Sequence, residues 1–295
     1  MQAQPYSRFG HLTVEDGLSS NRTRCLYRDS KDYLWIGTEE GLDKYNSYEI
    51  KKYNYNENIP GSISNNNIFC IYEDRGKNLW FGTFNGLNLF DPAKDNFKVF
   101  KNDPGDKTSL NGNYINGIIE DKGGNLWIVT GENCLNKLIS KTHKFIRYQF
   151  DSEKAYFNSR PSKMIAIDSK GYLWLVSLSR GIRRFDPETG VFTKFEDPSI
   201  DFGNDCFKSL YIDNQDKIWI TTDGNGFFSY DPASNKFEQF GSKGDGKGTN
   251  QKVILDVIPE DEQHLLLAVD QGGINRFDKI SKTFEYFMYD NTNDE

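Results

Sequence analysis

Five tryptophans recur along this chain at nearly equal intervals, and this periodicity limits the possible folds more than any other feature. Successive tryptophans are separated by 45, 47, 47 and 45 residues: Trp35, Trp80, Trp127, Trp174 and Trp219. An aspartate lies six residues before each of them: Asp29, Asp74, Asp121, Asp168 and Asp213. A sixth copy follows with Leu266 in the tryptophan position and Glu260 in the aspartate position. A period of this length indicates stacked structural repeats.

Each repeat has the pattern of four short strands. In the second repeat these strands are predicted near Phe69–Tyr72, Leu79–Thr83, Gly86–Phe90 and Phe97–Phe100. The aspartate and the glycine between the first two strands are typical of a tight turn. A glycine opens the third strand in most repeats, but the third repeat has Cys134 there. Four antiparallel strands in about 45 residues predict an all-β fold, a β-propeller of four-stranded blades.

The repeat boundaries divide the chain into a closing strand and six blades. We predict a single β-propeller domain over residues 1–295. The closing strand and the six blades are predicted at residues 1–14, 15–54, 55–101, 102–149, 150–196, 197–241 and 242–290.

The strand count bears on the number of blades in the ring. Residues 8–12 resemble a fourth strand that has no blade of its own. Together with six complete blades this gives 25 strands, three fewer than seven four-stranded blades need. We therefore expect a truncated seven-bladed ring cut from a longer protein, and the alternative is a six-bladed ring with an additional N-terminal strand. An unclosed ring would expose apolar blade faces, which favours self-association such as a homodimer.

Composition excludes several classes of partner. The chain has 43 acidic and 36 basic residues and a net charge of −7, whereas a nucleic-acid-binding protein needs a concentrated basic face. No apolar run approaches the roughly 18 residues that span a bilayer, so we expect no membrane contact within this chain. The four cysteines have no C-x-x-C spacing, which argues against a structural zinc site.

Residues 3–4 resemble those beside a signal-peptidase cut, which suggests an exported protein.

The segment Phe9–Asn21 and the repeats, for example Ile71–Asp74, Asn78–Thr83 and Gly86–Pro92, resemble the two-component regulator propeller family over the whole chain. Such proteins are periplasmic sensor regions of hybrid two-component systems in Gram-negative gut bacteria. They combine two seven-bladed propellers, a β-sandwich, one membrane span and a histidine kinase. They regulate glycan use, and those studied respond to oligosaccharides.

The resemblance therefore implies a periplasmic ectodomain of an inner-membrane receptor. Its partners would be an oligosaccharide, the second propeller and the β-sandwich. A ligand site near the second propeller is also compatible with the resemblance, and this chain would then bind nothing by itself.

A binding face is expected at one rim of the propeller, where the second-to-third-strand turns and the connections between blades meet. Sugar sites combine aromatic surfaces with amides and charged groups. On this basis the candidate ligand-binding residues are Arg22, Glu40, Asn85, Tyr114, Asn133, Arg160, Arg180, Asp223, Asn225 and Gln271. The alternative is that Asp and Asn occupy turns for conformational reasons alone.

The sequence contains no recognisable catalytic arrangement. Its three histidines, His11, His143 and His264, have no metal-binding spacing, and no serine or cysteine lies in a nucleophile motif. The segment Asp223–Gly226 offers too few oxygens for a calcium site. We predict no catalytic residues, no metal and no cofactor, and hence a non-enzymatic sensor propeller. The alternatives are a propeller-fold glycosidase or lyase and a purely structural spacer or dimerisation module.

Overall fold

The computed structural model describes residues 11–131, 134–149, 164–176, 182–195, 207–240 and 248–287. All regular secondary structure in these ranges is β-structure, and they contain no helix. Twenty-four strands form six separate antiparallel sheets of four strands each. This confirms the predicted β-propeller of four-stranded blades.

The strands follow the chain order, four to a blade. Blade 1 contains β1 (Thr23–Arg28), β2 (Leu34–Thr38), β3 (Leu42–Tyr45) and β4 (Ile50–Tyr53). Blade 2 contains β5 (Ile68–Glu73), β6 (Leu79–Thr83), β7 (Gly86–Asp91) and β8 (Asn96–Phe100). Blade 3 contains β9 (Ile115–Glu120), β10 (Leu126–Thr130), β11 (Cys134–Ile139) and β12 (Lys144–Gln149). Blade 4 contains β13 (Ile165–Ile167), β14 (Leu173–Val176), β15 (Ile182–Phe185) and β16 (Phe192–Phe195). Blade 5 contains β17 (Phe207–Ile212), β18 (Ile218–Thr222), β19 (Phe227–Asp231) and β20 (Lys236–Phe240). Blade 6 contains β21 (Ile254–Pro259), β22 (His264–Val269), β23 (Gly273–Asp278) and β24 (Phe284–Phe287).

The first strand of each blade lies innermost. Within a blade the strands pair in sequence order, so that β1 pairs with β2, β2 with β3 and β3 with β4. The first strands of neighbouring blades contact one another in succession: β1, β5, β9, β13, β17 and β21. The start of every first strand therefore lies near the propeller axis.

The tryptophans fill the interfaces between blades. Trp35 is fully buried, and its ring lies 5.0 Å from the ring of Phe81 and 5.3 Å from that of Phe90, both in the next blade. Trp127 packs in the same way against Phe185 of blade 4, at 5.4 Å. Large aromatic side chains bury much apolar area, which explains why each repeat needs its neighbour.

The turn aspartate holds both the turn and the tryptophan. In blade 3, one carboxylate oxygen of Asp121 accepts hydrogen bonds from the backbone N–H groups of Gly123 and Asn125, each at 2.9 Å. The other oxygen accepts one from Trp127 Nε1 at 2.8 Å. The same bond to the tryptophan, also at 2.8 Å, recurs in blades 1, 2, 4 and 5. The aspartate six residues before each tryptophan is thus a structural residue.

Blade 6 replaces this arrangement with another. Asp261, one position later than the usual aspartate, accepts the backbone N–H groups of Gln263 and His264. Glu260 is left to pair with Arg276, with Nε and Oε2 2.5 Å apart. The loss of the tryptophan therefore coincides with a shift of the turn bonds by one residue.

The connections between blades are anchored by a second repeated contact. In the connections before blades 1, 2 and 3 an apolar residue, Leu18, Ile63 or Leu110, is buried. The next residue donates its backbone N–H to an Asp or Asn of the third strand. Ser19 bonds Asp43 in this way at 2.8 Å. Equivalent bonds start from Ser64, Asn111 and Asn250. The small polar residues in these connections are therefore structural.

The outer faces of blades 1 and 6 carry exposed apolar residues. Leu26 of β1 is 63 % exposed, whereas its counterparts Leu210 and Val257 are at most 1 % exposed. On blade 6, Leu255 and Ile258 are also exposed. Residues 8–10 of the predicted closing strand lie outside the described residues, and the seventh blade stays a prediction.

We expect the isolated chain to self-associate through these faces, because exposed apolar patches favour association. Light scattering over a concentration series should give a mass that rises with concentration. The double variant Leu26→Ser, Ile258→Ser should lower that rise, and Val191→Ser, which changes an exposed apolar residue on blade 4, serves as the control. A strictly monomeric wild-type chain at every concentration would contradict the expectation.

Candidate ligand-binding rim

One end of each blade brings together the start of the first strand and the turn between the second and third strands, because successive strands run in opposite directions. A backbone hydrogen bond joins the two segments. Phe84 N–H donates to Asn67 O at 3.1 Å, and Gly131 N–H donates to Tyr114 O at 2.8 Å. Blade 1 has the same bond from Glu39. We call this end of the propeller the upper rim.

A β-bulge lies at the rim in five first strands. The register of β1 against β2 shifts between Thr23 and Cys25, so that one residue has no partner in the ladder. The same shift occurs in β5, β9, β17 and β21. The bulged residues, five positions before the turn acid, are Arg24, Phe69, Asn116, Lys208 and Leu255. Bulges re-aim side chains and are frequent beside functional sites.

The bulged residue often contacts the turn residue of its own blade, and the chemistry of the two matches. Arg24 forms an ion pair with Glu39 at 2.9 Å, and Lys208 forms one with Asp223 at 2.6 Å. In blade 2 the corresponding residues are both aromatic, Phe69 and Phe84, with ring centroids 6.5 Å apart. In the five blades that carry the bulge, the rim backbone is therefore constant while its side-chain chemistry changes.

Phe69, Phe84 and Tyr114 form a continuous aromatic cluster, which we call the aromatic sector. The Tyr114 ring lies 4.7 Å from Phe69 and 5.3 Å from Phe84. Phe84 is 58 % exposed, whereas Phe69 is buried. A Cβ atom on Gly131 would lie 2.5 Å from Tyr114 Cδ1, so the glycine permits the ring to lie over the turn.

The aromatic sector adjoins the charged pair of blade 1. The Arg24 guanidinium lies 4.7 Å from the centroid of the Phe69 ring, within the range of a cation–π contact. Glu39 also pairs with Arg22 at 3.4 Å. An apolar surface, a cation and a carboxylate thus lie side by side at the rim.

The structure places the predicted rim residues in three groups. Arg22 and Tyr114 belong to the neighbourhood of the aromatic sector, Asp223 and Asn225 lie on blade 5, and Gln271 lies on blade 6 with a φ of 53°. Glu40, Asn85 and Asn225 each donate a backbone N–H to a threonine hydroxyl of the preceding strand. Asn133, Arg160 and Arg180 lie outside the described residues.

Sequence reasoning missed Arg24, Phe69 and Phe84. A signal was present in the first two, because the position five residues before the turn acid changes its chemistry from repeat to repeat. Phe84 had a different signal, since a phenylalanine between Thr83 and Asn85 stands where the other repeats have turn residues.

Two clusters outside the rim contain residue types that can carry chemistry. Burial raises the pKa of the Cys25 thiol to about 12 and also raises that of Cys70, which disfavours thiolate nucleophiles at both positions. The possible ligand atoms of Glu260, Asp261 and His264 lie within 4.8 Å of one another. Arg276 contacts both acids, so a fixed cation already occupies their neighbourhood.

Three repeats match a family model described as two component regulator propeller, at residues 17–40, 62–85 and 109–132. No curated protein matches the chain in sequence. None of the described residues forms a helix that could cross a bilayer.

Solved structures share the fold at low sequence identity. The extracellular domain of a putative hybrid two component system from B. thetaiotaomicron is 23 % identical with a TM-score of 0.79, and the match covers 96 % of this chain and 37 % of that one. The extracellular domain of a putative one component system from the same organism is 22 % identical with a TM-score of 0.74, over 98 % and 39 %. Virginiamycin B lyase from Staphylococcus aureus is 16 % identical with a TM-score of 0.68, over 91 % and 84 %. The chain thus spans well under half of the two extracellular domains.

Proposed function

We propose that this chain, whose repeats are two-component regulator propeller repeats, is a sensory propeller from the extracytoplasmic region of a two-component signalling receptor. The family match and the fold shared with extracellular domains of such systems support this proposal. In a Gram-negative cell that region lies in the periplasm, and the whole receptor would be anchored in the inner membrane.

The ligand that the rim fits best is an oligosaccharide whose presence regulates glycan use. The observation that carries this proposal is the bulge position, where five blades share one backbone arrangement and hold Arg24, Phe69, Asn116, Lys208 and Leu255. Sugars present both apolar C–H faces and hydroxyl groups, so a rim that carries both aromatic and charged side chains suits them. A ligand would signal only by binding one arrangement of the receptor better than another.

The remaining partners are proposed from the family resemblance, and the partial coverage of the structural neighbours is compatible with them. A second propeller and a β-sandwich of the same receptor would contact this domain, and receptor homodimers would couple it to the kinase. The exposed faces of blades 1 and 6 are the surfaces available for such contacts.

The proposed role is non-enzymatic. A retaining or inverting glycosidase needs two carboxyl groups flanking the scissile bond. The charged residues that the rim brings into contact are instead pairs of opposite sign, Arg24 with Glu39 and Lys208 with Asp223. Such pairs can hold sugar hydroxyl groups through hydrogen bonds.

A combined binding and turnover assay tests this function. The chain is incubated with neutral and uronate-containing oligosaccharides, binding is measured by calorimetry, and the sugars are then analysed by anion-exchange chromatography. Binding with unchanged sugars is the expected result. New reducing ends or unsaturated products would favour a glycosidase or lyase, and the absence of any binding would favour a structural spacer.

A further inference from the structure

The geometry points to the aromatic sector, together with Arg24 and Glu39, as the place where one ring of a soluble oligosaccharide binds. The aromatic sector would contact the apolar face of the sugar ring, and the charged pair would contact its hydroxyl groups. The ligand class in this inference rests on the proposed function, whereas the location rests on the contacts of these five residues.

The Phe84 side chain is unusually exposed for an aromatic residue in a turn of this kind. The turn positions that correspond to it hold Glu39, Gly131, Asp223 and Asp270, which are polar residues or glycine. A phenylalanine that is 58 % exposed at such a position contributes little to the core. Its ring instead extends the Phe69 and Tyr114 rings, with centroids 4.7 to 6.5 Å apart.

Contacts within the protein hold the aromatic sector in place before a ligand binds. Phe69 is buried and meets Tyr114 at 72°, an edge-to-face arrangement that aromatic pairs favour. The backbone of Phe84 is fixed by its hydrogen bond to Asn67, and Tyr114 lies against Gly131. A preformed surface loses little conformational entropy on binding.

The ion pair of Arg24 and Glu39 forms a polar edge beside the aromatic sector. The Arg24 side chain is mostly buried, held between the Glu39 carboxylate and the Phe69 ring. These two contacts fix the guanidinium and the partly exposed Glu39 carboxylate beside the rings. Vicinal hydroxyl groups of a sugar both donate and accept hydrogen bonds, so they match this pair.

The size of the surface favours a sugar over a protein partner. Stable protein interfaces bury on the order of 1,200–2,000 Å² in total, far more than three neighbouring rings and one ion pair supply. Arg22, exposed beside Glu39, supplies a further cation at the margin of the site.

The test is calorimetric titration of the full chain with the neutral and uronate-containing oligosaccharides. Phe84→Ala is the central variant, because this exposed side chain can be removed without disturbing the core. We expect its Kd for a bound oligosaccharide to rise by about tenfold or more, as for truncation of a central aromatic contact. Phe84→Trp should retain binding, and Tyr114→Ala should weaken it.

The matched control is Tyr48→Ala, which removes a 95 % exposed aromatic ring from the turn between β3 and β4, at the opposite end of blade 1. It should leave Kd unchanged. Wild-type affinity in both Phe84→Ala and Tyr114→Ala would overturn the location while leaving the sensory function in place. The absence of binding by the wild-type chain to every oligosaccharide would overturn this inference and the proposed ligand class together.

Discussion

Replacing Trp127 by alanine is expected to lower the free energy of unfolding by about 3–5 kcal/mol. Trp127 is fully buried between blades 3 and 4, where it contacts Tyr148 and Phe185 at 5.6 and 5.4 Å. Its removal leaves a cavity between two sheets that pack face to face and cannot easily approach each other. It also leaves the Asp121 carboxylate without the donor that Trp127 Nε1 provides.

Urea unfolding followed by far-ultraviolet circular dichroism measures this loss. The control is Leu266→Ala, which truncates the residue in the tryptophan position of blade 6. Leu266 is only partly buried and has no bond to an acid, so its loss should be clearly smaller. Equal losses for the two variants would show that the tryptophans are not the principal contacts between blades.

Replacing Asp121 by alanine is the second large effect, with an expected loss of about 2–4 kcal/mol. The carboxylate accepts hydrogen bonds from two backbone N–H groups, the Asn125 amide and the Trp127 indole. Alanine leaves the buried indole N–H unpaired, and an unsatisfied buried donor costs more than the net gain of its bond.

A pH dependence accompanies this second effect. Burial raises the pKa of Asp121, but the hydrogen bonds from Trp127, Asn125 and Gly123 outweigh burial and hold the pKa below its ordinary value of 3.8. Because the folded-state pKa is the lower one, the contribution is present above pH 3.8 and is lost as the pH falls through the folded-state pKa.

The loss of stability in acid should therefore be smaller in Asp121→Ala than in the wild-type chain. Glu260→Ala is the control, because this residue occupies the aspartate position of blade 6 but bonds no indole; its effect on stability should be much smaller. Equal stability of Asp121→Ala and the wild-type chain would contradict the role of the aspartate.

The fold was predictable because its determinants repeat. The tryptophan and its aspartate form one contact in five blades, and a contact made five times leaves a visible period in the sequence. The structural role of the connections between blades was harder to predict from the sequence. In the sequence, the motif around Leu18 and Ser19 indicates only a family resemblance. The structure explains the motif physically, because the Ser19 backbone N–H donates a hydrogen bond to Asp43.

The candidate site was only partly predictable, because the alternation of apolar and polar residues along a strand does not reveal a β-bulge. One extra residue in the first strand changes the side to which Arg24 and Phe69 are directed, and the sequence alone does not indicate which residue is displaced. The turns and connections predict Arg22 and Tyr114 as ligand-binding residues, but they also predict Glu40 and Asn85. The backbone N–H groups of the last two bond threonine hydroxyls of the preceding strand, which is a structural role.

We propose that this propeller recognises an oligosaccharide, and a thermal-shift screen against neutral and uronate-containing oligosaccharides tests this proposal most directly. A ligand present at about 100 times its Kd should stabilise the folded chain by roughly 2.7 kcal/mol, and the unfolding temperature should rise accordingly. We expect at least one class of oligosaccharide to produce this rise. A folded sample whose unfolding temperature stays constant across the whole panel would contradict the claim.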